Sequence, residues 1–107
     1  KLKAMELLNG KAKELFIKWI CLKYGGSFYY QFLELIPIYQ NALIIDWLDS
    51  VGYNIHTDNL YYSFYFKIRA EEFEEIITFG ESFKSRQEST AEAIKKAVEL
   101  INESNGK

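Results

Sequence analysis

The sequence holds few of the residues that build metal centres and disulfide frameworks, because its 107 residues include one cysteine and one histidine. Cys21 cannot form an intramolecular disulfide, and together with His56 it provides too few ligands for a zinc site. Cys21 also lies between Ile20 and Leu22 in a helical pattern, which is typical of a buried thiol in a reducing compartment. We therefore expect a cytoplasmic protein with no metal and no cofactor.

Long apolar segments and a strong net charge are missing as well. The uncharged run LIPIYQNALII contains Pro37 and is far shorter than the roughly 20 apolar residues that span a bilayer. The net charge is −2, so we expect no overall attraction to DNA or to an anionic membrane. The sequence therefore predicts no membrane association.

The charges that are present are unevenly placed along the chain. Residues 1–30 hold six lysines and two glutamates, which gives this segment a charge of +4. Residues 31–60 hold four carboxylates and no lysine or arginine, which gives a charge of −4. We therefore expect two regions of the fold to differ in sign.

Aromatic residues are abundant, at 17% of the chain, and apolar residues make up 49%. This composition argues against disorder, and a chain of this length buries roughly two thirds of its unfolded surface in one core. We predict a single domain over residues 1–107, with a core rich in aromatic rings.

Apolar residues with helical spacing predict three helices, each with a start or stop signal. Gly25 ends the first, Pro37 and Gly52 bound the second, and Ser85 with Glu88 forms a capping box before the third. The predicted buried positions are Ala12, Leu15, Phe16, Trp19, Ile20 and either Leu22 or Tyr24 in the first, Tyr39, Leu43, Ile44, Trp47, Leu48 and Val51 in the second, and Ile94, Ala97, Val98 and Ile101 in the third.

The stretch LYYSFYFKIR, residues 60–69, alternates so regularly that it predicts a strand with two unlike faces. The preceding YNIH reads as its hairpin partner, with the TDN of residues 57–59 as the turn between them. The core face would hold Leu60, Tyr62, Phe64, Phe66 and Ile68, and the opposite face Tyr61, Ser63, Tyr65, Lys67 and Arg69.

The sequence pattern does not decide between helix and strand for two segments. Residues 28–35 suit either, and residues 71–79 suit a helical turn or a third strand, of which we favour a strand over 74–79. The predicted fold is therefore α+β, a small antiparallel sheet of about three strands with helices on one face. It combines the hairpin 53–69 with the possible strand 74–79, in the order α-α-β-β-β-α.

Two stretches, FLELIPIYQNALIIDWLDSVGYNIH and SFKSRQESTAEAIKKAVELIN, resemble short uncharacterised proteins from phages and prophages of gut bacteria. Those proteins carry a similar D-W/F-L/F-D-S-V-G helix end and a similar closing helix, S-R-x-E-x…A-I-x-K-A. The resemblance covers roughly residues 16–102. Its motifs are a helix stop and a helix cap, so they indicate no catalytic or binding residue in this chain. It implies an origin in a mobile element and a small accessory role.

Residues that could carry catalysis are few. His56 lies two residues before Asp58, but beside Thr57 and Asn59 it is more often a solvated turn residue than a base or a metal ligand. Cys21 lies among apolar residues, which favours an inert core thiol over a nucleophile. We therefore predict that the protein is not an enzyme.

The candidate interaction surface is the row Tyr61, Tyr65, Lys67 and Arg69 on the polar side of strand 60–69. Tyrosine and arginine are typical anchors of protein interfaces, whereas tyrosine is also common on the wet side of a sheet. Asp46 and Asp49, one helical turn apart near a helix end, form a second candidate, for a cation or a basic partner. A solvated helix end is the simpler interpretation of this pair.

These residues predict a small non-enzymatic accessory protein that binds another protein or a second copy of itself. The alternative is binding of single-stranded nucleic acid, with bases stacked on the tyrosines of strand 60–69. We disfavour nucleic acid as a partner because the chain is net acidic and glutamates follow Arg69 directly, so no extended positive track is present.

Overall fold

The computed structural model describes residues 4–60, 63–70 and 75–105. The α+β class is confirmed. Four helices precede the hairpin within the described part, where the sequence predicted two, because the short apolar runs at residues 4–7 and 28–34 do not reveal their period. The elements are α1 (Ala4–Leu7), α2 (Gly10–Tyr24), α3 (Phe28–Glu34), α4 (Pro37–Ser50), β1 (Tyr53–Leu60), β2 (Ser63–Ala70), β3 (Glu75–Phe83) and α5 (Arg86–Asn105).

Strands β1 and β2 form an antiparallel hairpin whose register runs from Tyr53 opposite Ala70 to Leu60 opposite Ser63. The prediction of a turn over residues 57–59 was wrong, because all three residues lie in β1 and are paired with β2. Leu60 likewise belongs to β1 rather than to its partner strand. The turn preference of Asp and Asn is weak, and cross-strand pairing overrides it here.

Strand β3 pairs with the other edge of β2, also in the antiparallel sense. The step from Phe64 to Phe66 on β2 matches the longer step from Phe79 to Phe83 on β3, so the register between the two strands shifts at this point. This strand begins near the start of the segment 74–79 favoured by the sequence but continues to Phe83.

One face of the hairpin, the inner sheet face, packs against α4 and α5. On β2 it holds Phe66 and Ile68, both buried as the alternation predicted, and Ala70, which is buried as well. Of the predicted core residues, Phe16, Trp47, Leu48, Phe66, Ile94, Val98 and Ile101 are buried, Trp19, Leu43 and Phe64 are half-buried, and Tyr62 lies outside the described residues.

Phe16 lies at the centre of the helical layer and is fully buried. Its ring centroid lies 5.1 Å from that of Phe32 and 5.6 Å from that of Trp47, and the Trp47 ring is nearly perpendicular to it. Such edge-to-face pairs add to the free energy gained by burying the rings. The ring-rich core joins α2, α3 and α4.

Several helix ends follow the predicted signals. Pro37 occupies the first turn of α4, Gly52 follows its end with a φ of 92°, and the Glu88 backbone N–H donates a hydrogen bond of 3.1 Å to Ser85 Oγ before α5. These short-range signals position the strands and helices relative to one another.

Candidate interaction surface

The side of the hairpin opposite the inner sheet face carries polar and charged residues and is called the outer sheet face. Lys67 and Arg69 are exposed on it, while their neighbours Phe66 and Ile68 are buried on the other side. The register places three pairs of residues across the two strands. The outer sheet face consists of Asn54 opposite Arg69, His56 opposite Lys67, and Asp58 opposite Tyr65.

The residues of the outer sheet face contact one another along each strand. The Lys67 ammonium lies 5.8 Å from the centroid of the Tyr65 ring, within reach of a cation–π interaction. On β1, His56 Nε2 lies 3.9 Å from Asp58 Oδ2, and both side chains are more than half exposed. Because these contacts are exposed to solvent, they contribute little to stability, and replacing them with contacts to a partner would cost little free energy.

Charge on the outer sheet face is balanced. Lys67 and Arg69 contribute two cations, and Asp58 contributes one carboxylate from the adjacent strand. A second carboxylate comes from α4, because Asn54 Nδ2 donates a hydrogen bond of 2.9 Å to Asp49 Oδ1. The described surface therefore mixes both signs, with Lys67 and Asp58 beside Tyr65 and with Arg69 and Asp49 near Asn54, and forms no positive track.

The two predicted surfaces meet at one point. Asp49 of the second candidate lies beside Asn54 of the outer sheet face, whereas Asp46 lies about one turn back along α4 and is exposed. Tyr61 lies outside the described residues. The sequence did not predict the contact of Asp49 with Asn54, which depends on how the α4–β1 connection turns.

Other reactive groups are dispersed. Cys21 is half-buried on α2, and His56 is exposed on β1. A shallow cleft of about 260 Å³ is lined by aliphatic side chains, Trp47, Tyr53, Ser104 and Asn105, and these include no carboxylate, imidazole, thiol or amine. Within the described residues, no group of three His, Cys, Asp or Glu side chains could hold a metal ion.

A second exposed surface, on the helical side, was missed by sequence reasoning. On α2, Leu22 and Tyr24, the two alternatives for the end of the predicted buried stripe, are both exposed. On α4, Tyr39 and Val51 were predicted to be buried but are exposed, whereas Gln40 is buried beside the predicted Ile44, Trp47 and Leu48. The prediction was wrong because it excluded a polar residue from the core.

Gln40 is buried for a specific reason. Its side-chain amide donates hydrogen bonds of 2.9 Å to the Phe32 carbonyl and 3.4 Å to the Leu33 carbonyl, both in the last turn of α3. The Phe32 carbonyl also accepts a hydrogen bond of 3.1 Å from the Leu35 backbone N–H. Rotating Gln40 inward turns Ile38 and Tyr39 towards solvent, with 55% and 60% of their area exposed. The adjacent apolar pair Ile38 and Tyr39, lying outside a single stripe, is the signal that could have revealed this surface.

Comparisons with known proteins identify no family for this chain. No protein-family model matches the sequence, no curated protein matches it, and no solved structure matches the fold. Of the helices in the described ranges, none has the length and hydropathy that a bilayer-spanning segment requires.

Proposed function

We propose that this protein is a small, non-enzymatic accessory protein that acts by binding another protein through the outer sheet face. The observation that supports this proposal is the composition of that face, in which Tyr65 lies beside Lys67 and opposite Asp58 on a regular hairpin that also exposes Arg69. Tyrosine and arginine are enriched at the centres of protein interfaces, and interspersed charges give specificity more than raw affinity.

Self-association through the same face is the second form of this proposal. An origin in a mobile element rests on the resemblance of the two helix-end motifs, and a cytoplasmic location rests on the single cysteine. The competing function is binding of single-stranded nucleic acid, which the Lys67–Tyr65 contact favours and the balanced charge of the face opposes.

The proposal is tested with the wild-type protein, a Tyr65→Ala/Arg69→Ala variant and a control, Lys95→Ala, which changes an exposed residue on α5. Each is immobilised and incubated with extract of cells that make the protein. We expect one protein to bind the wild type and the control but not the double variant. Recovery of the same proteins by all three would refute a role for the outer sheet face.

The nucleic-acid alternative predicts a different result in an anisotropy titration with labelled single-stranded oligonucleotides. Stacking and phosphate contacts would give an affinity that falls steeply between about 50 and 200 mM salt. Lys67→Ala and Tyr65→Ala would each remove most of the binding. We expect no such binding, and a salt-sensitive affinity lost in both variants would replace the proposal with this alternative.

A further inference from the structure

Two helices expose ridges that complement each other in charge and in apolar content. The α2 ridge consists of the exposed residues Lys11, Glu14, Lys18 and Leu22. The α4 ridge consists of the exposed residues Ile38, Ala42, Asp46 and Asp49. Each ridge is apolar at the end nearer α3 and charged at the other end, but the α2 ridge carries mainly cations and the α4 ridge carries only carboxylates.

The apolar ends of both ridges are unusually exposed. Leu22 exposes 78% of its area, and Ile38 and Tyr39 each expose more than half of theirs. Tyr30 on α3, between the two helices in sequence, exposes 72%. Four large exposed apolar side chains on three successive helices are more than the single exposed apolar residues that need no explanation.

The charges of both ridges are available for intermolecular pairing. Neither Lys18 nor Asp46 forms an ion pair with another described residue. On the α2 ridge Glu14 is already paired, since its carboxylate lies 3.5 Å from the Lys11 ammonium. Lys18 and Asp46 therefore have no ion-pair partner among the described residues, and Asp49 has only the hydrogen bond from Asn54.

The spacing decides the orientation in which the ridges fit. Both ridges advance by steps of four, four and three residues when α2 is read backwards from Leu22 and α4 forwards from Ile38. An antiparallel contact therefore places Leu22 between Ile38 and Ala42, and Lys18 between Ala42 and Asp46. Glu14 then lies near Asp46 and Asp49, but its charge is offset by Lys11, whose ammonium lies 3.5 Å from the Glu14 carboxylate. A parallel alignment of the two ridges would place Leu22 against Asp49 and Lys11 against Ile38, so that each apolar side chain would face a charge.

We propose that the protein forms a two-fold dimer in which the α2 ridge of one copy packs antiparallel on the α4 ridge of the other. A second copy is the occupant that the charges specify, because the same chain presents the basic ridge and the acidic one. Two-fold symmetry repeats the contact, so the dimer contains two Lys18–Asp46 pairs. This surface is separate from the outer sheet face and leaves that face free for another protein.

Sedimentation equilibrium of the purified full chain tests the proposal, with far-UV circular dichroism as a check of folding. The wild type should sediment as a dimer. Lys18→Glu and Asp46→Lys should each raise the dimer dissociation constant by about tenfold or more, because each creates two like-charge contacts. The combined variant, Lys18→Glu/Asp46→Lys, reverses both charges and should restore the dimer.

Two controls separate this surface from others. Lys95→Glu reverses an exposed charge on α5 and should leave the dimer unchanged. Tyr65→Ala should also leave it unchanged, so a mass that falls only in Tyr65→Ala would overturn this dimer and retain association through the outer sheet face. A wild type that stays monomeric at high concentration, or a combined variant that fails to regain the dimer, would overturn the proposal.

Discussion

The two faces of strand β2 differ in what their side chains contact. Phe66, Ile68 and Ala70 on the inner sheet face are buried beneath helices, whereas Lys67 and Arg69 on the outer sheet face are exposed. Since these residues alternate on one backbone, strand propensity does not separate them. The comparison shows that one strand can stabilise the fold with one set of side chains and present a second set for association.

The largest loss of stability should result from a substitution at the centre of the inner sheet face. Phe66 is 4% exposed and stacks on the Phe83 ring at 5.9 Å between centroids. Phe66→Ala should lower the free energy of unfolding by about 3 to 5 kcal/mol, because it leaves a cavity. Denaturant unfolding measures this loss, with Lys67→Ala as the matched control from the adjacent outer position.

Phe64, at the turn end of the same face, should matter less than Phe66. It is half-buried, although the sequence placed it among the central core residues. Phe64→Ala should cost about 1 to 2 kcal/mol, since part of the ring already contacts water. A loss equal to that of Phe66→Ala in the same unfolding experiment would contradict this gradient along the face.

Arg86 covers the exposed end of the inner sheet face. Its guanidinium carbon lies 5.5 Å from the centroid of the Phe64 ring, and it donates hydrogen bonds of 3.3 Å to the Thr57 carbonyl and hydroxyl oxygens. Arg86→Ala should cost about 0.5 to 1 kcal/mol. A double-mutant cycle with Phe64→Ala should show coupling, and strict additivity would mean that the two side chains do not interact.

Tyr65 on the outer sheet face should show the smallest effect on folding. Tyr65→Ala should change the free energy of unfolding by at most about 0.5 kcal/mol, because its ring packs on no described helix. Tyr65→Phe is the matched control that keeps the ring. If Tyr65→Ala unfolds the protein as readily as Phe64→Ala does, then the outer sheet face is part of the core.

Local patterns in the sequence predicted the features that depend on near neighbours. The alternation around Phe66 identified the inner and outer sides of β2. The stop at Gly52 and the cap at Ser85 identified ends of α4 and α5. The same alternation placed Tyr65, Lys67 and Arg69 on one face, so most of the candidate surface was predictable.

Features that depend on distant residues were not predictable. Asn102, near the end of α5, accepts a hydrogen bond of 2.9 Å from the Ala12 backbone N–H and donates one of 2.8 Å to Asn9 Oδ1, so it caps α2 from 90 residues away. The burial of Gln40 likewise depends on the position of α3. Neither contact leaves a periodic signal, because each is a single side chain that satisfies a helix end.

The most direct measurement is photocrosslinking from the outer sheet face, with benzoylphenylalanine replacing Tyr65 and, in a control, Lys95 on α5. Crosslinking in cells that make the protein reports which molecule contacts each position. The proposed function predicts a defined protein adduct at position 65 that is absent at position 95. A nucleic-acid adduct at position 65, or equal labelling of the same proteins at both positions, would contradict the proposal that the outer sheet face binds a protein.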